Sequence, residues 1–269
     1  MATSRLFDVL DERDPAPARC ALEEDYGAAL VLDADRVAVN FVSTIDGIVS
    51  FGLDVDDSRA VGGGVAADRT LMAMLRAIAG VIVVGGATLR ATRNHQWTPH
   101  AVAPERADDL ATLRAVADRP PAPAPLLVVS ARGDIPTDAD AVARPEVPLH
   151  VLSAGGLMQA GAASATPEGG HLPAATIVEA ARALAGDGPV LCEGGPHLLG
   201  VLLDGGVSVD LFLTVAPQLA GARAGPTERR HLVEGVELVP FSRTGQLRSV
   251  RRAGNHLLLR YAIGARGSG

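Results

Sequence analysis

Val81-Ile82-Val83-Val84-Gly85-Gly86 is a run of four β-branched residues closed by two glycines. Nothing in the run is polar, so a strand built from it has both faces buried. Such a strand belongs in the middle of a mainly parallel sheet with helices on either side. Short, largely apolar runs recur at Val37–Val42, Leu126–Val129, Leu149–Leu152, Val190–Cys192 and Leu211–Val215. Helical patterns fall between them. One opens at Asp68, with apolar residues at Leu71, Met72, Met74, Leu75 and Ile78. Others cover 104–117, 174–184 (ended by Gly186) and Pro196–Leu203, which Gly205-Gly206 terminates. Residues 50–64 and 155–173 read as loops, and Pro120–Pro125 as a link. Leu238-Val239 and His256–Ala262 predict antiparallel strands that close the sheet edge. The alternation predicts a three-layer α/β sandwich with a mixed, mainly parallel sheet. Residues 1–35 predict an N-terminal arm or short helix on the domain edge, and 36–269 a single domain.

Composition narrows the function. The chain has 269 residues, of which 48% are hydrophobic and 3% aromatic, so small and branched side chains pack the core. Its net charge of −7 and scattered arginines argue against nucleic acid. No apolar run reaches the ~18–20 residues of a membrane span, and Met1–Leu10 lacks an apolar signal core. Two distant cysteines, Cys20 and Cys192, form neither a disulfide framework nor a zinc motif. A soluble, reducing, cytoplasmic setting is expected, with Cys192 as a buried small hydrophobe.

Three strand ends carry small, polar or acidic residues: Asn40–Gly47, Gly85–Arg90 and Glu193–Leu199. In open α/β sheets, ligands bind beyond such ends. Glu193-Gly194-Gly195-Pro196 is the most telling. Two glycines let main chain approach a ligand, and the helix that follows offers unpaired amides to a diphosphate. A tight strand-to-helix turn with a solvated glutamate explains the same residues, and both readings stand. Gly85-Gly86 is not GxGxxG, so a standard dinucleotide fingerprint is absent. Asp46-Gly47 is either a proton-donor site or plain turn chemistry. His95 and His100 read as loop residues, and Trp97 either stacks at the cleft mouth or covers a core edge. Asp54, Asp56 and Asp57 alternate like a calcium loop but lack the required Glu, so no metal site is expected.

Taken together, five segments resemble the C-terminal reductase domain of the bacterial riboflavin deaminase-reductases. They are Asn40–Gly47, Asp68-Arg69 with Leu75-Arg76-Ala77, Val83–Arg90, Glu193–Gly200 and Asp210–Pro217. The resemblance covers roughly residues 36–262, in order. It implies a dihydrofolate-reductase-like fold, a homodimer and NADPH-dependent reduction of 5-amino-6-(5-phosphoribosylamino)uracil to its ribityl form. By similarity, Thr44, Asp46 and Gly47 would line the cleft. Gly85, Gly86, Thr88, Leu89 and Ser130 would contact NADPH. Gly194, Gly195, Pro196, His197 and Leu198 would hold its diphosphate. Asn40, Arg76 and Glu193 would meet the substrate, with Asp46 and Glu193 in the chemistry and Asp46, or a water on it, as proton donor.

The sequence departs from the family on the substrate side. Acidic residues and a proline expected soon after Thr88 are replaced by Ala91–Pro99, where Arg90 or Arg93 would have to grip a substrate phosphate. A Gly-x-Ser element gives way to Gly62-Gly63-Gly64. No His-x-Glu and no Pro-Cys-x-x-Cys occurs, so zinc-dependent deamination is not expected. Dihydrofolate, another pteridine or a secondary-metabolite heterocycle stays open as substrate, as does a non-catalytic nucleotide-binding relative. An apolar run, Leu257-Leu258-Leu259, would leave an exposed sheet edge without a dimer partner.

Overall fold

The computed structural model describes residues 6–52, 57–159, 172–221, 229–239 and 243–264. In chain order it holds β1 (Asp8–Glu12), α1 (Ala21–Tyr26), β2 (Val37–Thr44), β3 (Ile48–Ser50), α2 (Asp57–Gly62), α3 (Ala66–Ile78), β4 (Val81–Gly85) and α4 (Gly86–Ala91). Then come α5 (Pro99–Val102), a 3₁₀ turn (Pro104–Arg106), α6 (Ala107–Val116), β5 (Leu126–Val129), α7 (Asp140–Ala143), β6 (Leu149–Ser153) and β7 (Gly156–Gln159). The rest is α8 (Ala174–Ala185), β8 (Val190–Cys192), α9 (Pro196–Asp204), β9 (Val209–Ala216), β10 (Arg230–His231), β11 (Gly245–Ala253) and β12 (His256–Ile263).

Ten strands form one sheet in the order β1-β11-β12-β9-β2-β8-β4-β5-β6-β7. The strands from β9 to β6 run parallel, and the outer pairings are antiparallel. All six parallel strands therefore end at one edge, the edge where ligands bind in such sheets. The expected three-layer sandwich is observed.

Alternation along each central strand divides its side chains between two cores. Ile82, Val84, Leu126 and Val128 pack under α3, α6 and α1, against Met74, Leu75, Leu113 and Leu22. Val81, Val83, Leu127 and Cys192 pack under α8 and α9, against Ile177, Leu199 and Leu202. Each such side chain stabilises the fold by about 1.5–3 kcal/mol through burial, so the strands need no polar help inside.

Three expectations change. Residues 6–35 do more than form an arm: β1 is the tenth strand of the sheet, and Phe7, Leu22, Tyr26 and Leu30 are core residues. The acidic residues of β1 hid it, because a solvated sheet edge carries charges rather than apolar alternation. Leu238-Val239 form no strand; β11 pairs with β12 instead. The 50–64 stretch contains α2, which Gln218 holds by donating from Nε2 to the Ala60 carbonyl at 3.0 Å. Asp54, Asp56 and residues 160–171 of the expected second loop lie outside the described residues.

Candidate active site

The ends of β4 and β8 are tied together. The Gly85 N–H donates to the Gly194 carbonyl at 2.7 Å. Gly194 takes φ +107°, a conformation that side-chain-bearing residues rarely adopt, so only glycine suits the turn. The Gly194–Gly195 peptide is cis. A Cβ on Gly195 would lie 3.0 Å from Thr88 Oγ1, and one on Gly194 would lie 3.7 Å from the Phe41 ring. Thr88, Phe41 and the 194–195 turn thus face one another.

α9 begins immediately after this turn with Pro196, whose missing N–H costs nothing at a helix start. The amides of Leu198 and Leu199 both bond the Gly195 carbonyl. Those of Gly195 and His197 have no main-chain acceptor among the described residues. Two open amides at the positive end of a helix dipole make a seat for an anion. On the far side of Gly86 lies a pocket of about 270 Å³ lined by Gly86, Ala87, Arg90, Ser130, Arg132 and Asp134. Ser130 Oγ donates to Asp134 Oδ1 at 2.9 Å, and Arg90 lies 3.8 Å from the same carboxylate.

On the α3 side of β8 sits a buried ion pair. Arg76 and Glu193 have side chains only 1% and 5% exposed, 2.7 Å apart. All five N–H groups of Arg76 are occupied. Nε donates to both Glu193 oxygens at 3.0 Å, and Nη2 donates to Glu193 Oε2 and to His95 Nε2. Nη1 donates to the Gln96 and Thr98 carbonyls. The guanidinium also lies 5.1 Å from the centre of the Trp97 ring, and His95 meets that ring edge-on. The pair therefore pins the 95–98 loop onto the end of β8.

His95 accepts from Arg76 at Nε2, which leaves its proton on Nδ1. Burial, and secondly the Arg76 charge, hold its pKa down to about 3 from the ordinary 6.5. The unfolded chain takes up a proton there that the native chain refuses. The stability contributed by this group is complete above pH 6.5 and is lost as pH falls from 6.5 towards about 3. Urea unfolding at several pH values is expected to show a steeper acid loss for wild type than for His95→Gln across that window. Equal slopes would contradict the neutral, buried His95.

Residues 35–259 match the RibD C-terminal domain family. The chain belongs to that family. No curated protein matches it in sequence. Among solved structures, a pyrimidine reductase-like protein of Corynebacterium diphtheriae is similar at 20% identity and TM-score 0.55, covering 91% of this chain and 98% of that one. Acinetobacter baumannii RibD is 17% identical at TM-score 0.56, covering 86% of this chain and 58% of its own. The Thermotoga maritima diaminohydroxyphosphoribosylaminopyrimidine deaminase/5-amino-6-(5-phosphoribosylamino)uracil reductase is 15% identical at TM-score 0.56, covering 86% and 57%. The shared architecture is the dihydrofolate-reductase-like fold, and the family is one of reductases. No helix among the described residues is long and apolar enough to cross a membrane.

This RibD C-terminal domain brings together Gly85, Gly86, Thr88, Ser130, Gly194, Gly195 and Pro196, with His197 exposed at the rim beside Gly235. Other expected residues have different surroundings. Leu89 is fully buried in the core under α3, and Leu198, on α9, is 7% exposed and packs into the second core. Thr44 is 1% exposed; its hydroxyl donates to Asp46 at 2.6 Å and accepts from the Ile48 N–H at 3.0 Å. Asp46 also accepts from the amides of Ala220 and Gly221, at 3.1 and 2.6 Å. The Thr44 hydroxyl first, then those two amides, hold the Asp46 carboxyl down to about 2. Asp46 thus clasps the loop after β9 to the turn after β2. Gly47, at φ +82°, completes that turn.

Arg76 and Glu193 hold each other rather than standing open to a substrate, and Asn40 lies buried on β2 at 9% exposure. Arg93 pairs with Asp138, and Arg90 faces the pocket beside Ser130. Trp97 is 3% exposed and covers a core edge. Cys192 is fully buried, and burial pushes its thiol up to about 12. Phe41 and the structural part of His95 were missed in the sequence. The strand alternation at β2 that puts Phe41 on the Gly194 side was the available signal for the first; nothing local marks the second.

Proposed function

We propose that this chain reduces a small heterocycle with NADPH. The first candidate substrate is 5-amino-6-(5-phosphoribosylamino)uracil, reduced to its ribityl form. The observation that supports this most is the joined turn at Gly85 and Gly194, with two open helix amides beside it and an arginine-lined pocket beyond Gly86. A dinucleotide fits that arrangement: absence of side chains at 194 and 195 keeps the main chain approachable, and the open amides suit a diphosphate. Arg90 and Arg132 outnumber Asp134 in the pocket, which suits a further phosphate group. When bound, the reduced nicotinamide supplies a hydride. The protein's part is to hold both reactants in line and exclude water. The name of the Thermotoga neighbour supports the uracil substrate.

Purified protein is expected to oxidise NADPH when given this uracil derivative. Turnover with dihydrofolate alone would replace the substrate assignment. No rise in melting temperature at saturating NADPH would leave a non-catalytic relative, since a ligand bound only by the native state must stabilise it. The free cysteines fit a cytoplasmic place of work.

The chain is also proposed to work as a homodimer, for a reason other than an open edge. β12 is paired on both sides, by β9 and β11. What lies open is a face, where Val215 stands opposite Leu257, Leu213 opposite Leu259, and Val250 beside Leu259. Leu257 is 38% exposed and the other four are half-buried. An apolar sheet face of this kind marks a contact surface. Leu259→Arg is expected to give a monomer by light scattering, and a wild-type monomer at working concentration would contradict the dimer.

A further inference from the structure

The pocket beyond Gly86 is built by α4 and by the turn after β5. The Gly133 N–H donates to the Ser130 carbonyl at 2.8 Å, and Gly133 takes φ +72°, so the chain turns back tightly. Ser130, Arg132 and Asp134 line the pocket from that turn, and Arg90 lines it from α4. The Asp134 main chain is held from both sides, because its carbonyl accepts from Ser130 Oγ and from Arg90 Nη1, each at 3.3 Å. Its carboxylate is held less. Oδ1 accepts from Ser130 Oγ at 2.9 Å, while Oδ2 stands 3.8 Å from Arg90 Nη1, beyond hydrogen-bond length. Arg90 Nε and Nη2 donate to nothing among the described residues. The Arg90 and Asp134 side chains are 46% and 55% exposed. The two charges are close enough to offset each other and open enough to change partner.

Position says which part of a ligand meets these charges. β8, β4 and β5 are neighbours in the sheet, so the pocket lies two strand spacings, about 10 Å, from the 194 turn. Gly86 stands between them. A Cβ there would lie 3.2 Å from Ser130 Cβ and 3.5 Å from Arg90 Nη1, so its absence keeps the main chain approachable beside both. A dinucleotide with its diphosphate on the Gly195 and His197 amides would direct its adenosine ribose to this pocket. The 2′ position of that ribose is the one place where NADPH and NADH differ. A carboxylate recognises a 2′-hydroxyl, and an arginine accommodates a 2′-phosphate. This pocket presents both. Asp134 would accept a hydrogen bond from the hydroxyl and repel the phosphate. Arg90 would attract the phosphate, with part of its charge offset by the carboxylate 3.8 Å away.

We propose that Asp134 is the specificity-determining residue of the cofactor site: it admits NADH, and it limits the preference for NADPH that Arg90 supplies. This rests on the reductase reading above, since it assigns a role within the dinucleotide site described there. The wild-type protein is expected to bind both dinucleotides, NADPH the tighter. One hydrogen bond to a charged group is worth at least about tenfold in affinity. Removing the Asp134 charge takes such an acceptor from NADH and a repulsion from NADPH, so both changes move the preference the same way.

Two measurements test it. The first is fluorescence titration with NADPH and with NADH. Asp134→Asn keeps the shape of the side chain and an acceptor for Ser130 Oγ. It is expected to bind NADPH more tightly and NADH more weakly, raising the ratio of the two affinities at least about tenfold. Arg90→Gln is expected to weaken NADPH about tenfold and to leave NADH nearly unchanged. An unchanged ratio in Asp134→Asn, a ratio that moves towards NADH, or equal losses of both dinucleotides in Arg90→Gln overturns the proposal. So does a wild-type protein that binds NADPH and no NADH. The second measurement needs no reduction: calorimetry with adenosine 2′,5′-bisphosphate and with 5′-AMP. The bisphosphate is expected to bind wild type and to bind Asp134→Asn more tightly, while 5′-AMP gains nothing from the substitution. A protein that behaves so and yet reduces no candidate substrate defeats the reductase reading and leaves the role of Asp134 standing. A protein that turns over NADPH but does not bind the bisphosphate, or binds it equally with either residue at 134, overturns that role and leaves the reductase reading standing.

Discussion

Arg76→Ala is expected to destabilise the fold by about 3–5 kcal/mol, the usual effect of removing one partner from a buried ion pair. The reason is the state of what stays behind. Glu193 would remain as a 5% exposed carboxylate without its cation. His95 Nε2 and the carbonyls of Gln96 and Thr98 would lose their donor at the same time. The 95–98 loop would then come free of β8, and Trp97 with it. Replacing both partners by apolar residues of similar size, as in Arg76→Met with Glu193→Leu, is expected to recover most of the loss, because neither charge is then stranded. Equilibrium urea unfolding of the two single variants and the double variant measures the coupling directly. A loss below about 1 kcal/mol in Arg76→Ala would show that the pair is solvated and free to reach a ligand, which would return Arg76 to the substrate.

The second large effect is on ligand binding. Gly195→Val is expected to weaken NADPH binding by at least about tenfold, since one hydrogen bond to a charged group is worth about 1.5–3 kcal/mol and tenfold is 1.4. A Cβ at 195 would stand 3.0 Å from Thr88 Oγ1, and the two methyls of valine would fill the space over the open amides of Gly195 and His197. Thr88→Val, which keeps the shape and removes the hydroxyl, separates crowding from hydrogen bonding. Fluorescence titration of NADPH gives the affinities, and melting temperatures without ligand show whether the fold has suffered. Unchanged affinity in Gly195→Val would place the dinucleotide elsewhere.

The central sheet was legible because buried parallel strands have to be apolar on both faces. Val81–Val84 and Leu126–Val129 could not be solvated in any other arrangement. The 194 turn was legible for a similar reason: two glycines before a proline at a helix start leave few other structures. What escaped depends on partners far along the chain. Nothing near Asp46 in sequence shows that the amides of Ala220 and Gly221 bind its carboxylate. Arg76 looked like a substrate ligand because nothing near it in sequence shows that Glu193 and the 95–98 loop take all its donors. Leu89 followed a glycine pair in a helix only six residues long, too short for a periodic pattern to say which face is buried. β1 is acidic because it lies at the edge, and an edge strand is solvated along one side.

A crystal structure of the protein with NADP bound tests the account most directly. The account predicts the diphosphate against the main-chain amides of Gly195 and His197, with Thr88 beside it and the adenosine end in the Arg90–Ser130 pocket. A dinucleotide bound on another surface, or a diphosphate that touches neither amide, would contradict it.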